Sequence, residues 1–215
     1  MESRRKYSKI DQILMGFDQA LGAAFGREIT AGRVCPAEGQ AESHLNERER
    51  RHAAGLMRVD HAGEIAAQAL YQGQGLTARS QGVRQSMARA AAEEIDHLAW
   101  CEKRLQALNS HTSYLAPVWY TGSFAIGAVA GAVGDKWSLG FVAETERQVV
   151  KHLDEHLQQL PRNDNESRAI LRQMREDESH HATAALEAGA AELPDVIKGL
   201  MTLCSKVMTT TAYWV

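Results

Sequence analysis

The sequence predicts an all-α protein: a four-helix core with one further helix at each end. Three observations carry that expectation. Proline is scarce, with four in 215 residues, and β-branched runs are few. Apolar residues recur at helical spacing nearly throughout. Acidic and histidine residues also repeat at intervals that fit paired helices.

Taken in order, Ile10, Ile13, Leu14, Phe17, Leu21 and Phe25 form one apolar stripe, which predicts an amphipathic helix over 8–26 ending near Gly26. Gly32, Pro36 and Gly39 lie among charges in 27–45 and suggest a surface linker. Asn46 and Glu49 have capping-box spacing and open a helix over 46–78. A third helix is expected over 82–108, starting near Gly82, followed by a loop from Asn109 to Pro117. A long helical region covers 118–160, interrupted around Gly134 to Gly140 and stopped by Pro161. Further helices fall over 165–190 and, beyond Pro194, 195–211. The whole chain reads as one domain: an N-terminal helix and linker (1–45), a core (46–190) and an apolar C-terminal helix (195–215).

Composition excludes several classes. The net charge of -3 and 24% charged residues give no basic face for nucleic acid, and Arg4-Arg5-Lys6 reads as a solvated terminus. Cys35, Cys101 and Cys204 are widely spaced and odd in number, as expected of reduced cytosolic thiols. Asp11 and Asp18 interrupt the N-terminal hydrophobics, so no secretory signal is read there, and the cytoplasmic side is expected.

The chemistry lies in a doubled pattern. Glu64 is followed thirty residues later by Glu94-x-x-His97, and Glu146 thirty-two residues later by Glu178-x-x-His181. Two helix pairs, each giving one Glu and one Glu-x-x-His, supply the ligands of a carboxylate-bridged two-metal site inside a bundle. Glu-x-x-His alone is weak, since frequency predicts roughly one such pattern on helix faces by chance. Glu49-x-x-His52 is the internal control: it lacks an upstream partner Glu. The other two have that partner, and each is also preceded by an acid, Glu93 or Asp177.

The surrounding faces are apolar: Leu139, Val142, Val149 and Leu153 near Glu146; Ile170, Leu171 and Met174 near Glu178; Met87, Ala91, Leu98 and Cys101 near Glu94. A carboxylate facing such a core without a partner costs several kcal/mol, on the order of the buried-ion penalty. Two divalent cations would cancel four carboxylates, and oxygen-rich ligation with two imidazoles and no thiolate favours iron or manganese. The competing reading is surface ion pairs. By symmetry, Glu64 and His97 hold one ion, Glu146 and His181 the other, and Glu94 and Glu178 bridge. Glu93 and Asp177 are candidates to hold the outer N–H of a ligand imidazole.

His152-Leu153-Asp154-Glu155-His156 spells the inverted zinc-peptidase signature. At 100° per residue these histidines lie about 100° from the Glu146 stripe, so they are expected to flank the core, in a solvated or supporting role.

Paired ferrous ions with open positions can reduce dioxygen, which leaves oxidase, hydroxylase, desaturase, radical-generating and iron-storage chemistry open. No Asp, Glu, Lys or Arg occurs between Arg104 and Asp135, and Tyr114 to Val133 is rich in aromatic and aliphatic residues. Pro117 with Gly122, Gly127 and Gly131 argues against a full membrane span, and a mean hydropathy of -0.36 against a polytopic protein. Val196 to Val215 carries only two charges, Lys198 and Lys206, and ends Tyr213-Trp214-Val215, which suits a headgroup boundary or a protein interface. A lipid-facing surface implies a greasy substrate.

These residues resemble a known family. Met57-Arg58-Val59-Asp60-His61-Ala62-Gly63-Glu64, Glu94-Ile95-Asp96-His97-Leu98, Glu144-Thr145-Glu146, Asp177-Glu178-Ser179-His180-His181 and Val207-Met208-Thr209-Thr210-Thr211-Ala212-Tyr213 look like the demethoxyubiquinone hydroxylases of ubiquinone biosynthesis, in their bacterial form. The resemblance runs from about residue 10 to the C-terminus. It implies a ferritin-like di-iron monooxygenase that hydroxylates a polyprenyl methoxy-methyl-benzoquinol with dioxygen. A reductant is implied, with NADH one candidate donor. So is a peripheral position on the cytoplasmic face of the cell membrane, with homo-oligomers or other ubiquinone-biosynthesis proteins as candidate partners. His152 matches a family position linked to electron transfer, but Leu153 stands where some members have Tyr. The alternative is a ferritin- or rubrerythrin-like iron or peroxide-handling protein, which would call for a hydrophilic channel or a soluble cage.

Overall fold

The computed structural model describes residues 30–41 and 44–215. The helix expected over 8–26 and the Arg4-Arg5-Lys6 stretch lie outside the described residues. Six helices occur among those described, with no strand: α1 (Glu47–Thr77), α2 (Gln81–Ala107), α3 (Ala116–Val133), α4 (Asp135–Gln159), α5 (Asn165–Glu187) and α6 (Asp195–Ala212).

Local chemistry sets the helix starts. Asn46 accepts from the Arg48 and Glu49 amides at 3.0 Å each, and Glu49 reaches back to the Asn46 amide at 2.9 Å, completing the expected capping box. Ser80 caps α2 through the Val83 amide at 3.1 Å. Asp164 caps α5 through the Ser167 amide at 3.0 Å and binds the buried Arg104 at 2.9 Å, tying α5 to α2.

The metal-type bundle is α1, α2, α4 and α5. Antiparallel α1 and α4 meet through Tyr71 with Glu146, Gln74 with Ser138 and Asp60 with His156. Trp100, Cys101, Leu105, Leu153, Ile170, Leu171 and Met174 fill one end of the interior, and Met87, Leu139, Val142 and Ala185 the other.

The region expected as one interrupted helix over 118–160 is two helices. The break is Gly134 alone, at φ 142° and ψ 154°, a conformation closed to residues with a Cβ. Asp135, just beyond it, accepts from the Arg79 and Ser80 amides at 2.8 and 2.7 Å and fastens the corner. The helix continues unbroken through Gly140, so the expected interruption is much shorter. Pro117 does not break α3 either: it occupies the first turn, where its missing N–H costs nothing.

The three α3 glycines do not all act alike. A Cβ on Gly127 would lie 2.2 Å from the Leu70 carbonyl oxygen, and one on Gly73 would lie 2.3 Å from that of Phe124. The two backbones therefore touch, with α3 laid along α1 outside the four-helix core. Helix α6 packs its Ala212 end on Val59 and Ala62 of α1, beside Trp119.

The segment expected as a surface linker behaves otherwise over its described part. Cys35 is buried in the core cluster, and Gly32 and Arg33 bind side chains of α2 and α5.

Candidate metal centre

All six residues singled out as metal ligands converge between α1, α2, α4 and α5. His97 Nδ1 lies 3.3 Å from Glu64 Oε2, 3.3 Å from Glu94 Oε2 and 3.1 Å from Glu178 Oε1. His181 Nδ1 lies 3.0 Å from Glu178 Oε2 and 3.7 Å from Glu94 Oε1. Glu94 and Glu178 each point one oxygen toward either imidazole, the geometry of a bridging carboxylate. Glu64 stands on the His97 side. Glu146 groups with Glu178 and His181, and accepts a hydrogen bond from the Tyr71 hydroxyl.

The outer nitrogens are crossed between helices. His97 Nε2 lies 2.9 Å from Asp177 of α5, and His181 Nε2 lies 2.5 Å from Glu93 of α2. Each acid that precedes a Glu-x-x-His thus orients the imidazole of the opposite motif. With Nε2 tied up outside, Nδ1 of both rings faces the centre.

The electrostatics are those of a site built around positive charge. Burial, with Glu178 as the next cause, drives the Glu94 and Glu146 carboxyls well above the usual range. Burial opposes ionisation of Glu178 too, but hydrogen bonds from His181 and His97 hold it low. Burial alone would depress both imidazoles. Asp177, Glu178, Glu64 and Glu94 outweigh it at His97, and Glu178 and Glu93 raise His181 to about 9. Asp177 sits at about 2, its desolvation overcome by His97, Gln173 and Arg33. Both oxygens of Glu94, Glu146 Oε2 and Glu178 Oε1 are buried without a well-directed hydrogen bond. Two divalent cations would satisfy these oxygens and neutralise the four carboxylates, so the donor set fits a metal pair.

Other sequence expectations sort clearly. Glu49 and His52 are structural: Glu49 completes the cap, and His52 bonds the Tyr213 hydroxyl at 2.7 Å. The placement of the α4 histidines outside the core is corrected for His156, which is buried with Nδ1 2.8 Å from Asp60 Oδ1. Helix α4 packs against both α1 and α5, so it buries an arc wider than the Glu146 stripe. His152 is half-buried, with its ring centroid 3.9 Å from that of His156. Glu155, the motif's would-be catalytic acid, is exposed and aligned with Lys151, while His152 and His156 group with Asp60 of α1.

Arg33 escaped the sequence reading. Its Nε binds Asp96 at 2.7 Å, its Nη1 binds Asp177 at 2.8 Å, and its guanidinium lies 4.8 Å from the centre of the Trp100 ring.

The model of a family described as ubiquinone biosynthesis protein COQ7 matches residues 51–212, a span holding every proposed ligand. The chain belongs to the COQ7 family. Among its relatives are 3-demethoxyubiquinol 3-hydroxylases. That of Nitrosococcus oceani is 60% identical over 215 residues, covering 100% of both chains. That of Acinetobacter baumannii is 57% identical over 210 residues, covering 98% of this chain and 99% of its own. That of Stutzerimonas stutzeri is 57% identical over 213 residues, covering 99% of each. COQ7 membership agrees with the all-helical bundle and with clustered Glu and His side chains able to hold metal.

Proposed function

We propose that this chain is a di-iron monooxygenase that hydroxylates the ring of a demethoxyubiquinol. Full-length identity to enzymes named for that reaction supports the substrate. The crossed arrangement at the centre supports the cofactor: two bridging-type carboxylates, one terminal carboxylate per imidazole and an opposite-helix acid behind each ring. Glu64 and His97 would hold one iron and Glu146 and His181 the second, with Glu94 and Glu178 shared between the two.

When bound, a ferrous pair would supply open positions for dioxygen and relay to it the two electrons that a reductant provides. One oxygen atom enters the ring C–H bond, and the other leaves as water with two electrons and two protons from a reductant. The chain's own residues hold the site in register. Asp177 and Glu93 fix the imidazole rings, Tyr71 fixes Glu146, and the apolar packing of Met87, Leu98, Leu139, Val142 and Met174 excludes water. The donor is a reductant such as NADH, and His152 is the side chain proposed to assist electron entry.

A polyprenyl substrate calls for an apolar surface, and two helices offer one. Helix α3 is long and apolar enough to cross a membrane by length and composition, and it exposes Val118, Ile126, Val129 and Val133. Helix α6 exposes Val196, Leu200, Leu203 and Val207, followed by Trp214. With both apolar faces turned outward, the protein sits peripherally on the cytoplasmic face of the cell membrane.

Metal analysis with turnover tests the reading. Wild type should bind two irons and convert demethoxyubiquinol to its hydroxylated product, while Glu178→Ala should lose both properties and keep its helicity. Iron mineralisation without quinol turnover would replace the reading with an iron-handling one.

A further inference from the structure

Among the described residues, the two halves of the centre are chemically doubled but not equally braced. Asp177 Oδ2 receives His97 Nε2 at 2.9 Å and Arg33 Nη1 at 2.8 Å, while Gln173 binds Asp177 Oδ1 at 3.0 Å. Asp96 fixes Arg33 in turn: Oδ2 takes Arg33 Nε at 2.7 Å, and Oδ1 takes the Gly32 amide at 2.6 Å and the Arg33 amide at 3.3 Å. The guanidinium lies beside Trp100, whose ring centre is 5.4 Å from that of His97. Arg33 Nη2 also comes within 3.4 Å of His97 Nε2; with that nitrogen's proton directed to Asp177, this is a close approach, not a second hydrogen bond.

The equivalent partner of His181 is Glu93, whose side chain is 52% exposed, and no described Lys or Arg pairs with it. One imidazole is therefore held by a carboxylate clamped between a fixed guanidinium and an amide. The other is held by a carboxylate open to solvent.

We propose that the 30–41 strap, acting through Arg33, is a positioning element for His97 that makes the two metal positions unequal. The ion at Glu64 and His97 is the tightly held one. This rests on the proposed ligand set. Arg33 contributes no ligand atom: it fixes Asp177, Asp177 fixes the imidazole, and an outer partner of a ligand imidazole carries about 10- to 100-fold in metal affinity. A fork of nitrogen donors spanning Asp96 and Asp177 needs a guanidinium; a lysine ammonium replaces the charge but not the two-carboxylate bridge.

The test loads the full chain with ferrous iron without oxygen and follows release to a competing chelator. Wild type should release two ions in two phases. Glu146→Ala, which removes a ligand of the other position, should retain the slow phase, and Glu64→Ala should lose it. Arg33→Gln, which leaves Asp177 on His97, should accelerate the slow phase by up to about 10-fold and leave the fast one unchanged, with Arg33→Lys between. Circular dichroism establishes that each variant is folded. Two ions leaving wild type in a single phase, an unaltered slow phase in Arg33→Gln, or equal acceleration of both phases would overturn the proposal while leaving the two-metal centre standing. Failure of wild type to bind a pair of ions would overturn the centre itself.

Discussion

Replacing Glu94 by Gln should stabilise the metal-free protein while destroying its capacity for metal. Glu94 is fully buried, and its pKa is raised well above 4.5 by burial and by the carboxylates of Glu178 and Glu64. An acid whose pKa is raised on folding binds its proton more tightly in the folded state. Its contribution therefore falls as pH climbs above the unfolded value of 4.5. Each pH unit over which the folded group keeps its proton costs about 1.4 kcal/mol. The amide has nearly the shape of the protonated acid but needs no proton. Imperfect partners for its N–H groups cost about 1–3 kcal/mol at every pH, so the variant gains once the pH stands about one to two units above 4.5. For a chain of this size each 1 kcal/mol of net gain raises Tm by about 2–4 °C.

Thermal or urea unfolding of metal-free wild type and Glu94→Gln from pH 4.5 to 8 measures this directly. The variant should be the less stable form at pH 4.5, by about 1–3 kcal/mol, and should overtake wild type as pH climbs. Added ferrous iron should reverse the order, because ligand binding stabilises only the form that binds it. A variant no more stable than wild type at pH 8, or one with a pH-independent gain, would refute the electrostatic argument.

Three further outcomes are expected. Gly127→Ala places a methyl group against the Leu70 carbonyl and should cost about 1–3 kcal/mol or more in urea unfolding, whereas Gly122→Ala, on the same helix with open space around it, should be neutral or gain up to about 1 kcal/mol. His61 is fully buried, and burial lowers it to about 4, so the stability present above about 6.5 should fall by about 3 kcal/mol as pH drops toward 4; His61→Leu should flatten that acid limb in pH-dependent unfolding. Glu93→Gln, although on the helix that carries His97, should weaken the ion at His181 by about 10- to 100-fold in chelator competition and spare the other ion.

What the sequence disclosed follows from how locally each feature is encoded. A Glu-x-x-His on one helix face, a capping box at Asn46 and an acid one residue before a ligand are fixed within a turn or less, so the six convergent residues and both outer acids were legible. The crossing of those acids was not, because it depends on how α2 faces α5. His156 was misplaced because the angular argument gave α4 one buried stripe, while α1 brings Asp60 against a second. The break between α3 and α4 is expected over Gly134 to Gly140 but takes Gly134 alone, because a glycine reads alike whether it weakens a helix or, as Gly140 does against Ala191, lets two backbones touch. Arg33 left no trace, since its partners lie 63 and 144 residues away and its segment has no periodic face. That last omission bears on the chemistry. The doubled motif presents two equal halves, so inequality between them had to come from a residue outside the repeat. Of the two acids behind the imidazoles, the structure lays the strap over Asp177, and the symmetry written into the helices is broken there by a loop.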